Sequence, residues 1–138
     1  MLDVALASAG AQVVLATSSD ENFPPENIID GSGSTFWLTT GLFPQEFIIS
    51  FTSLMNINNI RLLTTNVEGL SIERSVQNEP VNFEPLTEKV LEFVEGELQS
   101  EDIQVDATTA HHLRFVVKSG FDHFISIHRV NVNGSAVH

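Results

Sequence analysis

Apolar and polar positions alternate with period two over most of the chain, the pattern of strands with one face buried. In Glu46-Phe47-Ile48-Ile49-Ser50-Phe51-Thr52, Phe47, Ile49 and Phe51 share one face, with Glu46, Ile48, Ser50 and Thr52 opposite. His112-Leu113-Arg114-Phe115-Val116-Val117-Lys118 places Leu113, Phe115 and Val117 together. From 124 to 133, Phe124, Ser126, His128, Val130 and Val132 alternate with Ile125, Ile127, Arg129 and Asn131. Runs 57–65 and 69–75 continue the pattern, with turn residues at Asn58-Asn59 and Val67-Glu68-Gly69. Near the N-terminus, 3–8 and 12–17 predict a strand pair joined through Ala9-Gly10-Ala11. First and last strands of similar character predict chain ends side by side in one sheet.

Segment 80–106 is read as a strand over 86–94, a turn at Glu95-Gly96 and a strand over 97–105. An acidic amphipathic helix over 84–94 competes, because Val90, Phe93 and Val94 also have helical spacing. Short strands separated by Gly, Asn and Pro turns predict an all-β sandwich or barrel. The 138 residues suffice for one domain, 1–138, around a single core.

Charge and composition narrow the function. Net charge is −12, so nucleic acid and anionic membranes are repelled. Eight acids between Glu84 and Asp106 form a solvated face or meet a basic partner surface. No apolar run is long enough for membrane insertion, and Met1 to Ala7 has no basic residue, unlike a signal or transit peptide. The chain has no cysteine, which excludes disulfides, thiolate zinc sites and cysteine nucleophiles and suits a reducing compartment.

One stretch holds candidate chemistry. After Pro24-Pro25, which suit the first turn of a short helix, come Glu26-Asn27-Ile28-Ile29-Asp30-Gly31-Ser32-Gly33-Ser34-Thr35-Phe36-Trp37. Side-chain oxygens of Asn27, Asp30, Ser32, Ser34 and Thr35 surround two glycines before a buried-looking aromatic pair. Such a loop can wrap a hard cation, since calcium takes roughly six to eight oxygen ligands. It can equally be a turn whose side chains bond their own backbone. The EF-hand register is absent.

Other constellations are weaker. His111 and His112, as neighbours on a strand, are expected on opposite faces and so unable to share an ion. Asp122 adjoins His123, but sequence neighbours rarely orient each other as a dyad. No Gly-x-Ser-x-Gly elbow or phosphate loop is present. These absences predict a protein that is not an enzyme. Asn133-Gly134-Ser135 matches a glycosylation sequon and is read as chance. In Thr39-Thr40-Gly41-Leu42-Phe43-Pro44-Gln45, apolar Leu42 and Phe43 sit in a connection, either tucked under the sandwich or exposed for a partner.

Glu26-Asn27-Ile28-Ile29-Asp30-Gly31 followed by Thr35-Phe36-Trp37 resembles the motif of the discoidin or coagulation-factor type C family, the galactose-binding-like jelly rolls. Four longer runs narrow this. They are Leu15-Ala16-Thr17-Ser18-Ser19-Asp20-Glu21, Pro24 to Gly31, Thr39 to Ile49, and Phe121-Asp122-His123-Phe124. They resemble the small jelly-roll subunits of intraflagellar transport complex B, once grouped with small heat-shock proteins. The resemblance implies a discoidin-like jelly roll and a non-enzymatic ciliary or flagellar scaffold, also cytoplasmic near the basal body and not secreted. It implies a stable heterodimer with a Rab-like small GTPase subunit, alongside other complex B subunits. It also implies a structural calcium ion (Ca2+), with Asn27, Asp30 and Thr35 as ligands and main-chain oxygens completing the shell. Where the family often has a glutamate near the last strand, His128 stands here, and imidazole prefers softer ions. The partner surface is placed at Thr40, Leu42, Phe43 and Gln45. The rival reading is a calcium-stabilised glycan-binding module. One Trp, no Tyr and few Arg argue against it, since sugar sites want exposed aromatics.

Overall fold

Two long strands carry the architecture of the computed structural model, which describes residues 2–17, 22–32, 34–39, 42–122 and 124–137, the side chains of Leu2 and Asp106 excepted. β4 (Gln45–Thr65) and β7 (Gln99–Gly120) pair antiparallel along most of their length. Register shifts between Ser50 and Met55 and between Ile57 and Asn59 bend the pair midway. Before the bend, β4 pairs with β2 (Gln12–Ala16) and with the far part of β7. That part of β7 pairs with β5 (Val67–Ser75), which pairs with β6 (Glu84–Val90). After the bend, β4 pairs with β8 (Ser126–Ala136), which also carries β1 (Leu2–Asp3) and β3 (Trp37–Leu38). Bulges of this kind add twist and turn a strand's direction. One antiparallel sheet therefore curls over itself into the all-β, discoidin-like jelly-roll sandwich.

The alternating faces meet in the core. Phe47, Ile49, Leu113, Phe115 and Val117 are all fully buried. Phe47 and Phe115 are register partners and stack with ring centroids 4.7 Å apart. Trp37 meets the Phe47 ring edge-on at 5.4 Å. Beneath these rings lies apolar area worth about 25 cal/mol per Å2 removed from water.

Four expectations need correction. Residues 3–8 and 12–17 do not pair as a hairpin. β1 pairs with β8, β2 pairs with β4, and Ala7–Ala9 forms a 3-10 turn closed by Gly10 at φ 96°. Asp3 drives this break, because its Oδ1 accepts the Ala5 and Val132 amides, at 3.0 Å each, and turns the chain after two strand residues. Asn58-Asn59 is not a turn but a bulge inside β4, and the chain reverses at Asn66, whose φ is 60°. The strand read over 86–94 is present as Glu84–Val90 against β5 and the turn at Glu95-Gly96 forms, so the competing helix does not. Third, β7 absorbs both 97–105 and 112–118 into one strand, with a left-handed residue at Ala107. Fourth, the alternation over 124–133 slips. Ile127 and Val130 are both buried, because the register moves from Leu63↔Arg129 to Thr64↔Ile127 and leaves His128 as an extra residue. The chain ends do lie side by side, with Leu2 opposite Gly134.

Candidate functional site

Within the loop between β2 and β3, Pro25–Ile29 forms a 3-10 turn with Pro25 in its first turn and Ile28 and Ile29 anchored in the core. That anchorage fixes the polar side chains beside it. Asp30 closes the turn, and Gly31 follows at φ 83°, a left-handed conformation that glycine adopts without strain. Asp30 Oδ1 accepts the Ser32 amide at 2.8 Å. Its Oδ2 accepts the Thr35 hydroxyl at 2.5 Å. Asn27 Nδ2 donates to the Phe36 carbonyl at 3.0 Å, tying the first turn to the exit of the loop. Ser32 Oγ accepts the Ser34 amide at 3.2 Å.

The structure brings Asp30 and Thr35 into direct contact in one small cradle, with Asn27 tied to the exit of the same loop through the Phe36 carbonyl. The donor set suits a hard cation, with one carboxylate, one hydroxyl, one amide oxygen and neighbouring main-chain carbonyls. It does not suit zinc. Among the described residues no group of three His, Cys, Asp or Glu side chains could hold a metal ion.

An aromatic stack that the sequence does not announce walls this loop. Phe23 and Phe36 stack at 4.6 Å, and the His128 ring lies 4.8 Å from Phe36. His128 reaches that position because it is the bulge residue of β8. Its Nε2 lies 3.2 Å from Ser126 Oγ. The available signal is that Phe23 and Phe36 bracket the polar run at its two ends.

The second candidate surface is the β3–β4 connection. Leu42 is 88% exposed, whereas Phe43 packs against the core from the side. Gln45 is only 4% exposed. Its Oε1 accepts the Thr17 hydroxyl at 2.7 Å and its Nε2 donates to the Leu42 carbonyl at 2.6 Å. Gln45 therefore braces the connection from behind. Thr40 lies outside the described residues, as does His123 of the Asp122-His123 pair.

His111 and His112 do not diverge. Their rings stack at 4.5 Å beside the bend in β4 and β7, correcting the opposite-face expectation. A strand bent by a bulge loses strict alternation. His112 Nε2 sits 3.0 Å from the Gln77 carbonyl and 3.1 Å from that of Asn78, so it carries the proton and Nδ1 accepts the Ser50 hydroxyl at 2.6 Å. Burial lowers the His112 pKa below 6.5; the carbonyls of Asn78 and Gln77 oppose the shift and the His111 charge adds to it. This pair pins the β5–β6 loop. Asn133 of the sequon donates to Asn59 Oδ1 at 2.7 Å.

No family model matches the chain. A Homo sapiens protein named intraflagellar transport protein 25 homolog is 50% identical over 136 residues, covering 99% of this chain and 94% of that one. The Chlamydomonas reinhardtii intraflagellar transport protein 25 is 41% identical over 134 residues, covering 97% of this chain and 70% of that one. Among solved structures, CBM32-3 from a family 31 glycoside hydrolase of Clostridium perfringens superposes with a TM-score of 0.79 at 24% identity, covering 96% of each chain. The last likeness speaks to the fold alone.

Proposed function

Because the chain belongs to the intraflagellar transport protein 25 family, we propose that it is a non-enzymatic structural subunit of intraflagellar transport complex B. In this reading it forms a stable heterodimer with a Rab-like small GTPase subunit and supports ciliary cargo transport. The observation that carries the reading is half-identity to the human homolog over essentially the whole chain, with no long insertion to hold a separate activity. It works in the cilium or flagellum and in the cytoplasm around the basal body. Among the described residues no helix is long and apolar enough to cross a membrane.

The cradle of Asn27, Asp30 and Thr35 is the proposed calcium site. A bound ion would supply fixed positive charge to a loop that Asp30 already organises, holding the β2–β3 connection against β8. Its role in this reading is to stiffen the loop.

Purification of the co-expressed pair tests the reading: a complex that survives gel filtration supports it, and separate elution rejects it. The rival reading is a calcium-stabilised glycan-binding module. A glycan array with the isolated chain decides between the two.

A further inference from the structure

The described parts of four connections gather at one end of the sandwich: 38–39 and 42–45, 65–67, 91–98, and 120–122 with 124–126. Hydrogen bonds hold them together. The Phe121 amide donates to the Asn66 carbonyl at 2.8 Å, and Gln99 Nε2 donates to the carbonyls of Val67, at 2.7 Å, and Glu92, at 2.9 Å. On this rigid base Phe93 and Phe121 meet edge to face, centroids 5.6 Å apart, yet stay 55% and 41% exposed. Two recesses flank the pair. One of about 400 Å3 is walled by Leu42, Phe43, Gly120 and Phe121. The other, of about 320 Å3, is walled by Asn66, Phe93, Val94 and His128. Contiguous exposed apolar surface of this kind marks an interaction site.

Charge identifies the occupant. The four connections contain four acids, Glu92, Glu95, Glu97 and Asp122, and no Lys or Arg. Lys118, just before the 120–126 connection, is engaged by Glu88 at 2.6 Å. The apolar centre therefore sits inside a one-signed negative rim, which repels anionic lipid and attracts a basic protein surface. A sugar ring wants a flat aromatic face, but the Phe93 and Phe121 planes cross at 64°.

We infer that this loop end, centred on Leu42, Phe93 and Phe121, docks a protein surface with apolar side chains at its middle and Lys or Arg around them. The inference rests on the partner reading above and assigns this face to the GTPase subunit.

The test is calorimetric titration of the purified Rab-like GTPase subunit into the wild-type chain and three variants, each checked for folding by circular dichroism. Leu42→Asp and Phe93→Asp, at exposed positions, each weaken binding roughly tenfold or more. The combined Glu92→Lys, Glu95→Lys and Glu97→Lys variant binds more weakly and loses the salt dependence that the wild type displays. Val14→Asp, an exposed change on β2, leaves affinity unchanged. Wild-type binding that all these variants share overturns the docking face and leaves the partner reading standing. Absence of wild-type binding overturns both. Oligosaccharide binding lost in the same variants, with GTPase binding intact, reassigns the face to sugars and also overturns the inference.

Discussion

Thr35 donates its hydroxyl to Asp30 Oδ2 at 2.5 Å, five residues across the β2–β3 loop, while the other carboxylate oxygen holds the Ser32 amide. One side chain therefore both shapes the loop and supplies the only charge of the proposed calcium cradle. Asp30→Ala should cost the calcium-free protein about 1 kcal/mol, for two loop hydrogen bonds lost at an exposed site. It should also abolish the rise in melting temperature that calcium gives the wild type. Ser32→Ala, which keeps the Asp30 bonds to the Ser32 amide and Thr35, should preserve that rise. Thermal melts in calcium and in chelator check both, and equal calcium shifts in wild type and Asp30→Ala contradict the site.

Gln99 spends its whole amide on four partners. Its Oε1 accepts the Val67 amide at 3.0 Å and the Thr64 hydroxyl at 2.8 Å, and its Nε2 donates to the Val67 and Glu92 carbonyls. Gln99→Leu keeps the volume but orphans both polar groups of buried Val67. A loss of roughly 2–4 kcal/mol in urea unfolding is expected. Amide exchange over 91–98 should rise with it, because Gln99 is what ties that loop to the sandwich.

His112 favours its neutral form in the folded protein, chiefly because burial penalises the charge. The unfolded chain then binds more protons as pH falls below 6.5, so stability is complete above that value and declines through the window beneath it. His112→Gln should flatten this decline. His111 stacks on the same ring, so His111→Gln is the control. Urea titrations across mildly acidic pH read the slope, and an unchanged slope in His112→Gln contradicts the assignment.

Arg114 reaches from β7 to Glu46 of β4, at 2.5 Å, and to Glu73 of β5, at 2.9 Å, joining three strands on a half-buried face. Arg114→Met retains much of the stem packing and leaves two carboxylates facing each other. A destabilisation of about 2 kcal/mol is expected by denaturant unfolding. Arg114→Lys should recover only part, because an ammonium cannot span both acids in a fork.

The strands that read clearly from sequence are those whose alternation faces the core from one layer throughout. Phe47, Ile49 and Phe51, like Leu113, Phe115 and Val117, keep step from end to end. Alternation misleads wherever a strand changes layer. The bulges at Ile57/Asn59 and at His128 each add a residue that no periodicity registers, which is why Asn58-Asn59 reads as a turn and His128 appears on the wrong face. The N-terminal pairing was hidden for another reason: Asp3 satisfies an amide 129 residues away, a contact with no local signature. The Asp30–Thr35 contact is legible because both residues lie in one short polar run. The aromatic pair Phe93 and Phe121 is not, because it assembles from two distant connections.

Light scattering after gel filtration of this chain mixed with the Rab-like GTPase subunit reaches the central claim most directly. The account predicts a single peak with the mass of one copy of each. Two separate peaks at their own masses, with the isolated chain retaining a galactoside instead, would contradict it.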